Sequence, residues 1–216
     1  MSSREAFLEE VRRSLGRKAG TPVPPPPPVR LRIVDQELQD RVARFGRALE
    51  GLTASLWIAS DGPSARARVE QITQRAPALA AAHRLLEECA IPSLPGVTTA
   101  PDGEPALREA AAQARYGITS AEFALADTGT LVFLAGPGSP RMISLLPPIH
   151  IAVIGLDQVL TGLDELFTLV PNPAGVASSM VLVTGSSRTG DIEQILVPGV
   201  HGPGKLHVVL IAPDLS

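Results

Sequence analysis

Two apolar runs, HIAVI at residues 150–154 and LHVVLI at residues 206–211, decide the fold. Branched apolar side chains follow one another in both runs instead of alternating with polar ones. Such runs are typical of strands that are buried on both faces of a sheet. Short runs of similar composition predict the other strands, at residues 54–60, 130–135, 142–145 and 179–184.

Helical periodicity appears between these runs. It predicts helices over residues 36–50, from Ser64 onward, over 105–114 and over 156–169. The helix from Ser64 is interrupted at Pro77, and a second helical stretch is expected to run to about Glu88. Strands that alternate with helices predict an α/β fold with an open, Rossmann-like sheet covered on both faces. Ligands of such sheets lie just beyond the ends of strands.

The N-terminal segment is predicted to be distinct from the main domain. Ser2 and Glu5 have capping-box spacing, and Phe7, Leu8, Val11 and Leu15 form one apolar face, so residues 1–16 are predicted to hold an amphipathic helix. Residues 17–30 are rich in proline and are expected to be a stiff linker. Residues 31–216 then form the main domain. The helix either packs back onto this domain or docks a partner protein.

Composition excludes several functions. With 19 Lys and Arg against 22 Asp and Glu, the net charge of -3 provides no basic field for nucleic acid. The single Cys89 cannot hold a disulfide, a cysteine zinc site or an iron–sulfur cluster, and no metal-ligand spacing joins the histidines. Neither an export signal nor an apolar run of about 18 residues is found, so a cytoplasmic location is expected.

The candidate chemistry lies where strands end in the second half of the chain. The strand over 179–184 leads into a turn that could cradle a carboxylate or phosphate with hydroxyl, guanidinium and backbone N–H groups. The residues concerned are Ser186, Ser187, Arg188, Thr189, Asp191 and Glu193. The alternative is simple capping, in which Ser187 or Thr189 begins a short helix whose first turn carries the two acids.

Three further segments supply polar candidates. Asp127-Thr128-Gly129-Thr130 either is only a tight turn or presents its hydroxyls to a ligand. Gly199–Leu206 nearly matches a phosphate loop, but Leu206 replaces the required hydroxyl and the segment precedes a strand, so an NTPase is rejected. His201 in that segment could act as a general base or bind an anion, or it could fix the loop. The third segment runs from Arg141 to His150, and for His150 itself a structural role is favoured. The candidate residues of these three segments are Thr128, Gly129, Thr130, Arg141, His150, His201 and Gly202.

Several motifs together, in their order along the chain, carry a family resemblance. They are Gly117-Ile118-Thr119, Ala126–Leu131, Arg141 through Pro147 to Val153, Ser187-Arg188-Thr189 with Asp191-Ile192-Glu193, and Gly199–Pro203. Their combination resembles the LUD domain of lactate-utilisation protein C, the LutC/YkgG family. Gly190 stands where the family more often has alanine.

The resemblance implies a fold of the kind shared by glucosamine-phosphate isomerase, ribose-phosphate isomerase and CoA transferases. It also implies a cytoplasmic role in oxidising L-lactate to pyruvate, with iron–sulfur clusters on two partner subunits and no cofactor on this chain. Under this hypothesis Ser187, Arg188, Thr189 and Thr128 position an anion and His201 carries a proton. Which subunit performs the chemistry stays open.

Two alternatives remain at this point. The first is a stand-alone enzyme acting on a sugar phosphate or an acyl-CoA, suggested by analogy of fold, with Asp191 or Glu193 as the only carboxylates in the predicted cleft. The second is a regulatory or assembly module that binds other proteins through residues 2–15.

Overall fold

The structure, a computed structural model, describes residues 3–18, 20, 22, 37–136, 140–189 and 197–215. The chain divides into two compact units, Met1–Leu31 and Arg32–Ser216. Among the described residues, no helix combines the length and the apolar character that crossing a membrane requires.

The first unit contains helix α1 (Ser3–Ser14). Glu5 lies in its first turn and Arg12 and Arg13 in its last, an arrangement that complements the helix dipole. Phe7 and Leu15 are each 65% exposed. The predicted helix is therefore present, while Ser2 and most of the proline-rich segment lie outside the described residues.

The second unit alternates strands and helices. Its helices are α2 (Leu38–Gly51), α3 (Gly62–Thr73), α4 (Arg84–Glu88), α5 (Glu104–Gln113), α6 (Met142–Leu145) and α7 (Leu163–Leu169). Its strands are β1 (Ser55–Ala59), β2 (Ala78–Ala80), β3 (Val97–Thr99), β4 (Tyr116–Ser120), β5 (Phe123–Leu125), β6 (Thr130–Ala135), β7 (Ile149–Gly155), β8 (Val159–Leu160), β9 (Ser179–Thr184), β10 (Arg188–Thr189), β11 (Val197–Pro198) and β12 (Lys205–Ile211). Short 3-10 turns occupy Ile91–Ser93, Leu156–Gln158, Pro173–Gly175 and Pro213–Leu215.

The main sheet has six strands in the order β1-β12-β7-β4-β2-β3, and every neighbouring pair is parallel. Side chains of β7 alternate between two apolar layers. Ile151 and Val153 belong to the layer that includes residues of α3, α4 and α5, whereas Ala152 and Ile154 belong to the layer that includes α2. Both faces of the central strands are thus buried, which confirms the predicted α/β fold with a mostly parallel sheet.

A second sheet, in the order β8-β5-β6-β9, contributes to the layer around α2. Its β5-β6 and β6-β9 pairs are antiparallel. Leu131 and Phe133 of β6 pack in the same cluster as Phe45 and Leu49 of α2. A short hairpin pairs β10 with β11, at Arg188 with Pro198 and at Thr189 with Val197.

Three predictions of local structure are wrong. Residues 142–145 form a helical turn instead of a strand, because a segment of four residues is too short to show a helical or strand period. Residues 156–169 contain a 3-10 turn and strand β8 before the shorter helix α7. The stretch after Pro77 starts with β2, whose Ala-rich sequence resembles a helix although each of its residues is buried in the sheet.

Helix α6 lies directly against β4 at Gly117. A Cβ atom on residue 117 would lie 1.8 Å from the carbonyl oxygen of Ile143, so only glycine permits this approach. The contact fixes α6, and with it Ser144 and Leu145, beside the strand.

We therefore expect Gly117→Ala to lower the free energy of unfolding by about 3 kcal/mol, because the backbone of α6 must move away. Gly51→Ala is the matched control: nothing lies within 4 Å of a Cβ at the end of α2, and the change should be within about 1 kcal/mol. Urea unfolding of both variants measures the difference. Equal stabilities would contradict the packing described.

Candidate anion site

One cavity of about 270 Å³ lies at the amino ends of β7 and β12 and at the end of β9. His150 and Leu206, which are paired in register, form part of its wall. The other residues lining it are Ser144, Leu145, Val181, Leu182, Val183, Thr184, Gly185, Ser186, Ser187, His201, Gly202 and Pro203. Five of the predicted site residues therefore share one cavity: His150, Ser186, Ser187, His201 and Gly202.

Backbone hydrogen bonds hold the two polar turns of the cavity together. Ser187 N donates to the carbonyl oxygen of Pro203 at 2.8 Å, and Gly199 N donates to that of Ser187 at 2.9 Å. Gly204 N donates to the carbonyl oxygen of Pro148 at 3.0 Å, which ties the same loop to the start of β7. Segments that are distant in sequence are thereby held at fixed spacing.

His150 is the most buried polar side chain of the cavity, with 1% of its surface exposed. Its Nε2 lies 2.8 Å from the hydroxyl oxygen of Thr119, and its ring contacts that of Phe133. Burial lowers the pKa of His150 to about 4, so the imidazole is neutral at neutral pH. Its Nδ1 has no hydrogen-bond partner within the described part of the chain, although a buried nitrogen of this kind normally has one.

A chain of hydroxyl groups leads from the Asp127–Thr130 turn to the cavity. The hydroxyl oxygens of Thr128 and Thr130 are 2.8 Å apart, and that of Thr130 is 2.8 Å from that of Thr184. Thr184 lines the cavity and pairs with Thr130 in the β6-β9 register. Thr128 and Thr130 thus support the wall through Thr184 and do not line it.

Arg188 lies at the rim of the cavity, where it contacts Thr53, a residue that was not predicted to belong to the site. Its guanidinium donates to the hydroxyl of Thr53, and this hydroxyl oxygen is 3.4 Å from that of Ser186. Thr53 has φ of 55°, a left-handed conformation that is uncommon for threonine. No sequence pattern marks it, since it lies in an ordinary turn between α2 and β1.

The remaining predicted residues have other positions. Gly129 packs against α2, where a Cβ would lie 3.1 Å from Leu52 Cδ1. Arg141 precedes α6 and does not line the cavity, but its carbonyl oxygen accepts a hydrogen bond from the Ser144 hydroxyl at 3.0 Å. Thr189 belongs to β10 and its side chain is not described, while Asp191 and Glu193 lie outside the described residues.

Two wall residues with polar side chains, Ser144 and Thr184, were not predicted to belong to the site. Ser144 was not recognised as a candidate, because residues 142–145 were predicted to form a strand. Thr184 is the residue next to the Gly-Ser-Ser turn, so its position at the strand end was the available signal. Arg188 and Thr189 are paired as a strand with β11, so a helix does not begin at Ser187. The alternative in which Thr189 caps a helix concerns residues outside the described ranges.

The lining as described contains hydroxyl groups and imidazoles and no carboxylate. Such a set donates hydrogen bonds to an anion without opposing it by like charge. His201 is exposed and lies beside these hydroxyls, where an imidazole can exchange protons with solvent. Within the described ranges, no group of three or more His, Cys, Asp or Glu side chains is placed to hold a metal ion.

Comparison with known families concerns the same region. The family model of the LUD domain matches residues 84–211, which include every residue lining the cavity. The chain belongs to the LUD domain family. This confirms the resemblance identified from the sequence motifs.

Several relatives carry the same name. A protein of Deinococcus radiodurans named lactate utilization protein C is 30% identical over 196 residues, which are 88% of this chain and 85% of that protein. A protein of Halalkalibacterium halodurans with the same name is 40% identical over 101 residues. These are 45% of this chain and 44% of that protein, so the matched part is about half of either.

A solved structure shows the same fold. It is the crystal structure of a DUF162 family protein from Deinococcus radiodurans, which has a TM-score of 0.66 and 18% sequence identity to this chain. The match covers 82% of this chain and 100% of that one.

The depressed pKa of His150 makes stability depend on pH. The unfolded chain protonates this imidazole below pH of about 6.5, whereas the folded chain resists protonation down to about pH 4. The stabilisation is therefore complete above about pH 6.5 and is lost as the pH falls toward 4.

We expect the free energy of unfolding to fall, between about pH 7.5 and pH 5, by about 2 kcal/mol more in the unmodified chain than in His150→Gln, which cannot titrate there. Urea unfolding at several pH values measures both. Burial and the nearby Lys205 also lower the pKa of His207, but that residue is common to the two proteins and cancels in the comparison. Parallel pH profiles would show that His150 is not buried in its neutral form.

Proposed function

We propose that this chain is the subunit without iron–sulfur clusters in a system that oxidises L-lactate to pyruvate, and that its cavity binds the small carboxylate. The observation that carries the binding role is the unpartnered Nδ1 of His150, buried in the wall of a cavity whose described lining is rich in hydroxyls. The names of the relatives support the choice of lactate.

The carboxylate is held by neutral donors. If the Thr119 hydroxyl donates to Nε2 of His150, the ring proton resides on Nδ1, which then donates to a carboxylate oxygen. The hydroxyls of Ser186 and Ser187 complete the donor set. Arg188 at the rim adds positive charge, because its hydrogen bond to Thr53 is on the exposed surface and is readily exchanged for one to an anion.

His201 supplies the proton-accepting group. Oxidation of a 2-hydroxy acid to a 2-oxo acid removes two electrons and two protons, and one of these protons leaves the hydroxyl oxygen. An exposed imidazole in the cavity wall is suited to act as the general base. The C2–H bond breaks as well, and its proton and both electrons pass to an acceptor on a partner subunit.

The chain's own residues do not fit an iron–sulfur cluster. Cys89 is its single cysteine and is 4% exposed, and burial raises the pKa of its thiol, with a smaller contribution from Glu88. Clusters need several thiolate ligands. In this proposal the iron–sulfur clusters therefore lie on partner subunits.

The cavity volume favours this ligand over an acyl-CoA, one of the two substrate classes of the alternative enzyme. At about 270 Å³ the cavity lies below the usual range for drug-sized ligands, roughly 300–1,000 Å³. A three-carbon acid fits such a space, whereas an acyl-CoA does not.

The binding role is tested by calorimetric titration of L-lactate into the purified chain. Ser187→Ala should weaken binding about tenfold, as expected for the loss of one hydrogen bond to a charged group. Ser93→Ala is the matched control, because Ser93 hydrogen bonds to Ala90 and Arg66 and does not line the cavity. Equal affinities for the two variants would remove Ser187 from the site.

The subunit role is tested by affinity purification of the tagged full chain from its native cell grown on L-lactate. We expect proteins with iron–sulfur clusters in the eluate, and lactate oxidation only when they are present. An isolated chain that turns over a substrate alone would instead support the stand-alone enzyme.

A further inference from the structure

A second and larger cavity, of about 710 Å³, lies at the opposite end of the main sheet. Its wall is built by the segments that leave the carboxyl ends of three neighbouring strands. His83 and Arg84 follow β2, Glu122 and Phe123 follow β4, and Gln158 follows β7. None of these residues lines the candidate anion site.

The order of the strands makes the carboxyl ends of β2 and β4 a typical position for a ligand. From β2 the chain continues outward to the edge strand β3, whereas from β4 it continues in the opposite direction to β7. The connections therefore diverge between the neighbouring strands β4 and β2. In open α/β sheets, ligands bind in the crevice beyond the carboxyl ends of the strands at such a point. The cavity occupies this crevice.

Hydrogen bonds hold two polar side chains of the wall in place. Gln158 accepts a hydrogen bond from Gly155 N at 2.6 Å, and its amide nitrogen donates to the carbonyl oxygen of Ala121 at 2.5 Å, so it links the exits of β7 and β4. Glu122 accepts a hydrogen bond from Leu134 N at 2.8 Å. Both polar side chains are thus fixed before any ligand arrives, which lowers the entropic cost of binding.

The lining combines an apolar surface with one basic side. Phe123, Leu134, Leu169 and Val176 form apolar wall, and Leu169 and Val176 are 56% and 67% exposed at the rim. On the β2 side, His83 Nδ1 accepts a hydrogen bond from Leu85 N at 3.2 Å, which leaves Nε2 as the ring's donor. Arg84 forms an exposed ion pair with Glu88.

We propose that this cavity is a second ligand site, which binds an amphipathic organic anion larger than lactate. The apolar body lies against Phe123, Leu134 and Val176, and the anionic group meets Arg84 and His83. Glu122 opposes an anion near itself, so the two charges of the wall orient the ligand with its acidic end toward β2. The three-carbon acid of the first site would leave most of this space unfilled.

The test uses decanoate as the probe, with acetate and decyltrimethylammonium as probes for the head group alone and for the opposite charge. Binding to the full chain is measured by calorimetry, with and without saturating L-lactate. We expect decanoate to bind at least about tenfold more tightly than either control probe. L-lactate should not change its affinity. The variants below locate the decanoate site whether or not lactate itself binds.

Matched variants locate the site. Val176→Asp places a negative charge at the rim and should weaken decanoate binding about tenfold, whereas Leu38→Asp, on an exposed apolar residue at the start of α2, should not. Arg84→Ala should reduce the preference for decanoate over the cationic probe, and Arg75→Ala, which removes another exposed ion-paired arginine, should preserve it.

Thermal unfolding checks that each variant is folded. The proposal is overturned if Val176→Asp binds decanoate as tightly as the unmodified chain, if the cationic probe binds as well as decanoate, or if L-lactate displaces the probe.

Discussion

Burial of both faces of the parallel sheet is the constraint from which the rest of the structure follows. Strands β7 and β12 lie between two apolar layers, so polar groups along them would have to be paired or removed. Chemistry is therefore confined to the strand ends. His150 lies at this boundary, because it is the first polar residue of β7. Its ring is buried: Nε2 is hydrogen bonded to the Thr119 hydroxyl, and Nδ1 has no partner among the described residues.

A single turn between α2 and β1 organises the hydroxyl-bearing segments around this boundary. Gly129 has φ of 69° and Gly185 has φ of 84°, and both approach Leu52 so closely that a Cβ on either would lie within 3.1 Å of its side chain. Thr53 in the same turn receives the hydrogen bond of Arg188. The glycines of the two polar segments thus serve packing, and their neighbours Thr130, Thr184 and Ser186 carry the hydroxyls toward the cavity.

The sequence predicted the parts of this arrangement that depend on pattern. Apolar runs predicted β6 and β9 with their observed bounds and β7 and β12 within a residue, since their burial leaves a continuous signature. The motifs also pointed to His150, Ser186, Ser187, His201 and Gly202, which meet in one cavity. Thr53 and Ser144 could not be predicted, because their positions depend on tertiary contacts of an ordinary turn and of a four-residue helix.

The two ends of the sheet could not be told apart from the sequence for a related reason. The general rule for open α/β sheets points to the carboxyl ends of the strands. The motif residues instead gather at the amino ends of β7 and β12, because the loop before β12 is bonded to the turn after β9. The carboxyl ends of β2, β4 and β7 border the larger, more apolar cavity, whose residues carry no recognisable motif.

A crystal structure of the chain with L-lactate tests the central claim most directly. The account predicts electron density for the carboxylate in the cavity at the amino ends of β7 and β12, with one oxygen within hydrogen-bond distance of His150 Nδ1 and another near the Ser187 hydroxyl. A structure in which only water occupies that cavity at saturating lactate would contradict it.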